Sequence, residues 1–168
     1  MTHPLVLGLF VSTSEAATAA RELRRLGVPP ERVSIVARSH DEEGELARAT
    51  DASPGSEIED SRIASRLGEL SAHLIAAIAV VLPGLGPIVA DGPLAAGLGE
   101  AAGHLAGGLA RTLEDAGLPE QLADQWEAQV EQGAVIVAGH ASVTPAADIR
   151  KALNDAGASN VVEGTWRD

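Results

Sequence analysis

Residues 74–113 read LIAAIAVVLPGLGPIVADGPLAAGLGEAAGHLAGGLARTL, an apolar, glycine-rich block with no aromatic residue. On a helix, where successive residues turn by about 100°, Leu94, Leu98, Leu105, Leu109 and Leu113 fall on one stripe. Gly99, Gly103 and Gly107 fall on a second stripe, roughly 140° round the same helix. A leucine stripe fills a core. Glycine at every fourth position weakens a helix and is tolerated where another backbone must come close. Two readings of that second stripe stay open: a self-association surface, or tight packing on the preceding helix of the same subunit. Pro83, Gly84, Gly86 and Pro87 break the apolar run and read as its turn, so the block predicts a hairpin of two apolar helices.

A hairpin this apolar invites comparison with a membrane span. From Leu70 to Ala90 the only ionisable side chain is His73, and about 20 apolar residues suffice to cross a bilayer. Pro83, Gly84, Gly86 and Pro87 interrupt that run, however, and the returning segment carries Asp91, Glu100, His104 and Arg111. Membrane association is therefore the lesser expectation, behind a helical hairpin buried in a soluble homo-oligomer.

Composition narrows the function classes. The chain has 168 residues, enough for one sizeable core. Aromatic content of 2% means that this core is built from Leu, Val, Ile and Ala. A formal net charge of −12 repels phosphate backbones, and the absence of Tyr removes most base-stacking platforms, so no nucleic-acid partner is expected. Zero cysteines exclude disulfides, thiol catalysis and thiolate metal sites. The N-terminus has no Lys or Arg before its apolar run and does not read as a signal peptide. The expected location is the cytoplasm.

Before the block, Leu5 to Val11 reads as a buried strand. Ser12 with Glu15 has capping-box form and opens a helix whose apolar stripe is Ala16, Ala20, Leu23 and Leu26; Gly27 and Pro29-Pro30 end it. Arg32 to Arg38 alternates as a second strand. Residues 1–38 thus make one βαβ half. Residues 39–60 carry eight acids against one Arg, with Gly, Ser and Pro interspersed, and read as a flexible acidic linker. From Ser61 a helix resumes, with Ile63, Leu67, Leu70, Leu74, Ile78 and Val81 on one face; the insert is taken as 61–118.

After the block, Pro119 starts a helix in which Leu122, Trp126 and Val130 share a side. Ala134 to Val143 is a third strand, Thr144 and Pro145 open a helix with Ile149 and Leu153 inside, and Asn160 to Gly164 is a short fourth strand. Residues 119–168 hold this helix and the second half. The two halves repeat each other: Ser14, Ala16, Ala17, Leu23 and Gly27 match Thr144, Ala146, Ala147, Leu153 and Gly157 at an offset of 130 residues. Two such halves imply an α+β, ferredoxin-like split βαβ fold with a four-stranded antiparallel sheet. The helical hairpin and one further helix lie between strands two and three, where an insert can project without disturbing the sheet.

The segments Pro83-Gly84-Leu85-Gly86-Pro87, Gly92-Pro93-Leu94-Ala95-Ala96, Gly117-Leu118-Pro119-Glu120-Gln121-Leu122-Ala123 and Gly133-Ala134-Val135-Ile136-Val137, in that order, resemble the bacterial heat-induced general stress proteins. The likeness covers nearly the whole chain. It implies stress association and a fold, and no enzymatic activity is established for that family.

Glu69, His73, Glu100 and His104 depart from that family's pattern. Each Glu/His pair is spaced i, i+4, and antiparallel helices would bring Glu69 level with His104 and His73 level with Glu100, a donor set suited to Zn²⁺ or Fe²⁺. The same residues lie in polar seams with Arg62, Arg66 and Arg111, the ordinary setting of solvent-facing ion pairs. No G-x-S-x-G, P-loop or dinucleotide fingerprint is present. Ser12, Thr13 and Ser14 are accounted for as caps, and His140 on the third strand could face an open sheet surface that takes a small molecule. The leading expectation is a non-enzymatic, cofactor-free interaction protein that self-associates or docks a partner through the hairpin. A membrane-anchored protein and a small-molecule or metal-binding regulatory module are the alternatives.

Overall fold

The computed structural model describes residues 1–38, 78–82, 85–102 and 108–168. Six strands, β1 (Thr2–Phe10), β2 (Val33–Arg38), β3 (Ile78–Leu82), β4 (Gly86–Asp91), β5 (Val135–His140) and β6 (Asn160–Arg167), form one sheet in the order β3-β4-β2-β5-β1-β6. Every neighbouring pair is antiparallel. Among the described residues five α-helices accompany them: α1 (Thr13–Arg25), α2 (Pro93–Ala102), α3 (Leu109–Asp115), α4 (Glu120–Glu131) and α5 (Ala146–Asp155).

The two ends fold as the sequence repeat requires. Ser12 Oγ accepts the Glu15 N–H at 3.1 Å, so one orphan donor of the α1 first turn is satisfied. Replacing Ser12 by Ala is expected to cost about 1 kcal/mol, read as a lower urea midpoint with an unchanged slope. Gly27 and Gly157 close α1 and α5 in the left-handed region, at φ 88° and 102°. At both ends the same pair of bonds follows, Gly27 N to Arg24 O with Val28 N to Leu23 O, and Gly157 N to Asn154 O with Ala158 N to Leu153 O. Thr144 differs from expectation. It does not cap α5, whose N-cap is Pro145, and its Oγ1 instead donates to the Leu26 carbonyl at 3.5 Å.

The insert departs from its expected form in two ways. First, the sheet has six strands rather than four, because Ile78–Leu82 and Gly86–Asp91 pair as a β-hairpin where two helices were expected. An apolar run hydrophobic on every side has no 3.6-residue period to distinguish helix from buried strand. The β-branched residues Ile78, Val80, Val81, Ile88 and Val89 favour the pleated form. Among the described residues of the insert, helix begins at Pro93, a residue suited to a first helical position. Second, the described part of the insert does not project from the sheet. It covers one of its faces.

Alternation along the strands divides the interior into two layers. Val6 and Phe10 of β1, with Val33, Ile35 and Ala37 of β2, pack under α1 and α5. Leu5, Leu7 and Leu9 face the other way, with Val36, Ile88, Ile136 and Ala138, and meet Leu94 and Leu98 of α2, Leu109 and Leu113 of α3, and Trp126 and Val130 of α4. Four residues of the expected leucine stripe, Leu94, Leu98, Leu109 and Leu113, are therefore core. Among the described residues no helix is long and apolar enough to cross a membrane.

Candidate functional site

Helix α2 starts without a side-chain cap of its own, because the residue before Pro93 is Gly92. Its cap comes from a strand: Ser34 Oγ on β2 accepts the Leu94 N–H at 3.1 Å. Gly92 is what lets the two meet. It holds φ 76°, and a Cβ there would stand 2.2 Å from the Val33 carbonyl oxygen and 2.8 Å from Ser34 Oγ. Asp91, buried at the end of β4, accepts the Gly92 N–H at 2.8 Å and braces the corner.

Ser34 opens a chain of polar contacts across the sheet. Its Oγ lies 3.0 Å from His140 Nε2, and His140 Nδ1 lies 2.9 Å from His3 Nε2. His3 Nδ1 is 3.3 Å from Asp168 Oδ2, and Arg32 donates to Asp168 Oδ1 at 3.1 Å. Trp166 meets the His140 ring edge-on, with centroids 5.7 Å apart. The topology explains this convergence. His3, Ser34, His140 and Trp166 have the same parity along their strands as Leu5, Val36, Ala138 and Val162, so all four side chains lie on the face that the insert covers.

The carboxylate of Asp168 can only accept, and this sets the direction of the chain when both imidazoles are neutral. His3 Nδ1–H donates to Asp168, His140 Nδ1–H to His3 Nε2, and the Ser34 hydroxyl to His140 Nε2, while Ser34 Oγ accepts from Leu94. Each of these ring nitrogens then has a partner. Burial above all, then the charges of His3 and Arg32, push the His140 imidazole down to about 3, against a smaller upward pull from Asp168. Burial would raise Asp168, but the Arg32 hydrogen bond and charge, helped by His3 and the N-terminus, hold its carboxyl below the usual value.

A carboxylate, two imidazoles and a hydroxyl in line have the makings of a proton relay. Here the hydroxyl is fully buried and already accepts the Leu94 N–H, so a substrate carbonyl has no approach to it. The arrangement is a tie between the sheet and the insert. His140, read from the sequence as a residue that could face an open sheet surface, is 1% exposed because α2, α3 and α4 cover that face. The signal that could have found the group was strand parity combined with strand order, and the order is not written in any single strand.

The residues singled out from the sequence fare unevenly. Glu69, His73, His104, Gly103, Gly107, Pro83 and Gly84 lie outside the described residues, as does the acidic stretch 39–60. Glu100 belongs to the α2 backbone, with its side chain outside the description. Gly86 opens β4, Pro87 pairs with Val81 in the hairpin register, and Gly99 is exposed on α2. Among the described residues no three His, Asp or Glu side chains come together as metal ligands. Comparisons with known protein families, with curated proteins and with solved structures found no match to this chain.

Proposed function

We propose that this chain is a non-enzymatic, cytoplasmic interaction protein with a ferredoxin-like core, and that it self-associates through its insert. The core reading is supported by the order β2-β5-β1-β6 within the sheet, which is the order of a split βαβ pair closed by antiparallel strands. The likeness to the heat-induced general stress proteins supplies the stress association.

The observation that carries self-association is the position of β3. This strand, Ile78-Ala79-Val80-Val81-Leu82, ends the sheet, and among the described residues it has a strand neighbour on one side only. An edge strand without a charge or an unpairable residue invites another strand, and antiparallel pairing of two copies gives a closed two-fold dimer. Gly99, exposed on α2 in the same insert, adds a point where a second backbone can come close.

Light scattering behind size exclusion in detergent-free buffer tests this reading. A discrete oligomer is expected. Lysine at Ala79 or at Val80 is expected to reduce it to a folded monomer, since adjacent strand positions face opposite sides and one of the two blunts the edge. Gly103→Leu tests the glycine stripe separately. A monomeric wild-type chain overturns the proposal, and recovery only in detergent replaces it with membrane anchoring.

A further inference from the structure

We propose that the His3–His140 pair and Ser34 form a proton-operated latch, which holds the first turn of α2 on the sheet while both imidazoles are neutral and releases it on acidification. The proposal goes beyond self-association and stands on the bonds around Ser34. That hydroxyl has one proton to donate and takes part in two contacts, to His140 Nε2 and from the Leu94 N–H. In the neutral chain the proton goes to His140, and the lone pairs remain for Leu94.

Added protons conflict with this arrangement in two steps. A first proton on the imidazole pair, shared across the 2.9 Å contact, leaves both outer ring nitrogens as donors. His140 Nε2–H then points at Ser34 Oγ, and the serine proton loses its acceptor in a fully buried position. A second proton would set His140 Nδ1–H against His3 Nε2–H, so the pair must part. Opening the latch to water relieves both conflicts.

Burial above all, and the surrounding charges after it, keep His140 neutral. Arg32 beside Asp168 opposes a positive charge on His140, and a charge on His3 would do the same. Asp168, following β6, pulls the opposite way but lies beyond His3. From β2 and β6 the facing groups are Ser34 and Trp166, neither of which titrates in this range. Asp91 at the end of β4 is engaged by the Gly92 N–H.

The latch is tested by the protection of the Leu94 amide against hydrogen exchange, corrected for intrinsic rates, at pH 7.5 and 5.5. An opened His140 that titrates at its ordinary value of 6.5, against about 3 when closed, makes opening about tenfold more frequent at the lower pH. Leu94 protection is therefore expected to fall about tenfold, with a weak dependence on added urea that marks opening smaller than global unfolding. His140→Gln, which can hydrogen-bond but does not titrate here, is expected to abolish the fall. Should that variant not fold, Ser34→Ala serves instead, and Leu94 protection is then expected to be low at both pH values. Protection that is independent of pH, or that keeps its pH dependence in His140→Gln, overturns the latch. So does a Leu94 amide that exchanges only with the same urea dependence as Val137.

Discussion

Alanine at Gly92 is expected to destabilise the fold by about 3 kcal/mol or more, well beyond a surface substitution. Two costs combine there. At φ 76° an L side chain meets its own backbone, a cost of roughly 1–2 kcal/mol. In addition the new Cβ would stand 2.2 Å from the Val33 carbonyl oxygen and 2.8 Å from the Ser34 Cα. Both are backbone atoms of a strand paired on its two edges, to β4 and β5, so neither can yield as the end of a flexible side chain could. Overpacking of this kind adds about 1–3 kcal/mol. Gly27→Ala is the control: it has a similar φ of 88° and nothing within 4 Å of the added Cβ, so it carries the conformational cost alone. Gly97→Ala is a second control, since its nearest neighbours are the Thr112 and Trp166 side chains at 3.1 and 3.4 Å. Urea unfolding of the three variants decides the matter. If Gly92→Ala lost no more than Gly27→Ala, the corner between β4 and α2 would not be pressed against β2.

The sequence made the flanking halves legible because several signals agreed there. For α1 a capping serine, an apolar stripe and a terminal glycine pointed to the same element, and for α5 the stripe and the glycine did so. The 130-residue repeat then related one half to the other. In the insert the signals conflicted. Ile78 to Leu82 is apolar at every position and continues the face of the helix read before it, so periodicity extended that helix into what is β3. The preference of Val80, Val81, Ile88 and Val89 for the pleated form was the competing signal.

The polar tie was hidden for a different reason. Its members come from residue 3, residue 34, residue 140 and the last residues of the chain, and none belongs to a local motif. Their meeting depends on β5 lying between β2 and β1 and on β6 lying beyond β1. The cap of α2 shows the same limit. Sequence reasoning looks for an N-cap immediately before a helix, whereas Gly92 fills that position and Ser34 supplies the oxygen from 60 residues upstream. A glycine where a cap belongs was itself a clue that the helix start rests closely on another element.

The second large effect is a loss of global stability in acid that is centred on His140. The sign follows from which state binds more protons. The folded state holds the His140 imidazole down to about 3, against an ordinary value of 6.5, so between these values the unfolded chain takes up a proton that the folded chain refuses. Stability therefore rises with pH through that window and is lost as pH falls. The loss is about 1.4 kcal/mol per pH unit below 6.5, and it amounts to roughly 4 kcal/mol between pH 7.5 and pH 3.5. Asp168 contributes with the same sign, but its carboxyl titrates from 3.8 in the unfolded chain, so its share appears only below about pH 4.5. Among the described residues with a shift, the interval from pH 6.5 to 4.5 thus belongs to His140. Urea unfolding at pH 7.5 and 5.5, and again at 3.5 beyond the isoelectric region near 4.7, measures both parts. In His140→Gln the loss from pH 7.5 to 5.5 is expected to disappear, while the Asp168 share at pH 3.5 remains. An unchanged profile in that variant would place the acid sensitivity elsewhere in the chain, and the buried imidazole would then be a neutral hydrogen-bonding group whose titration has no bearing on stability.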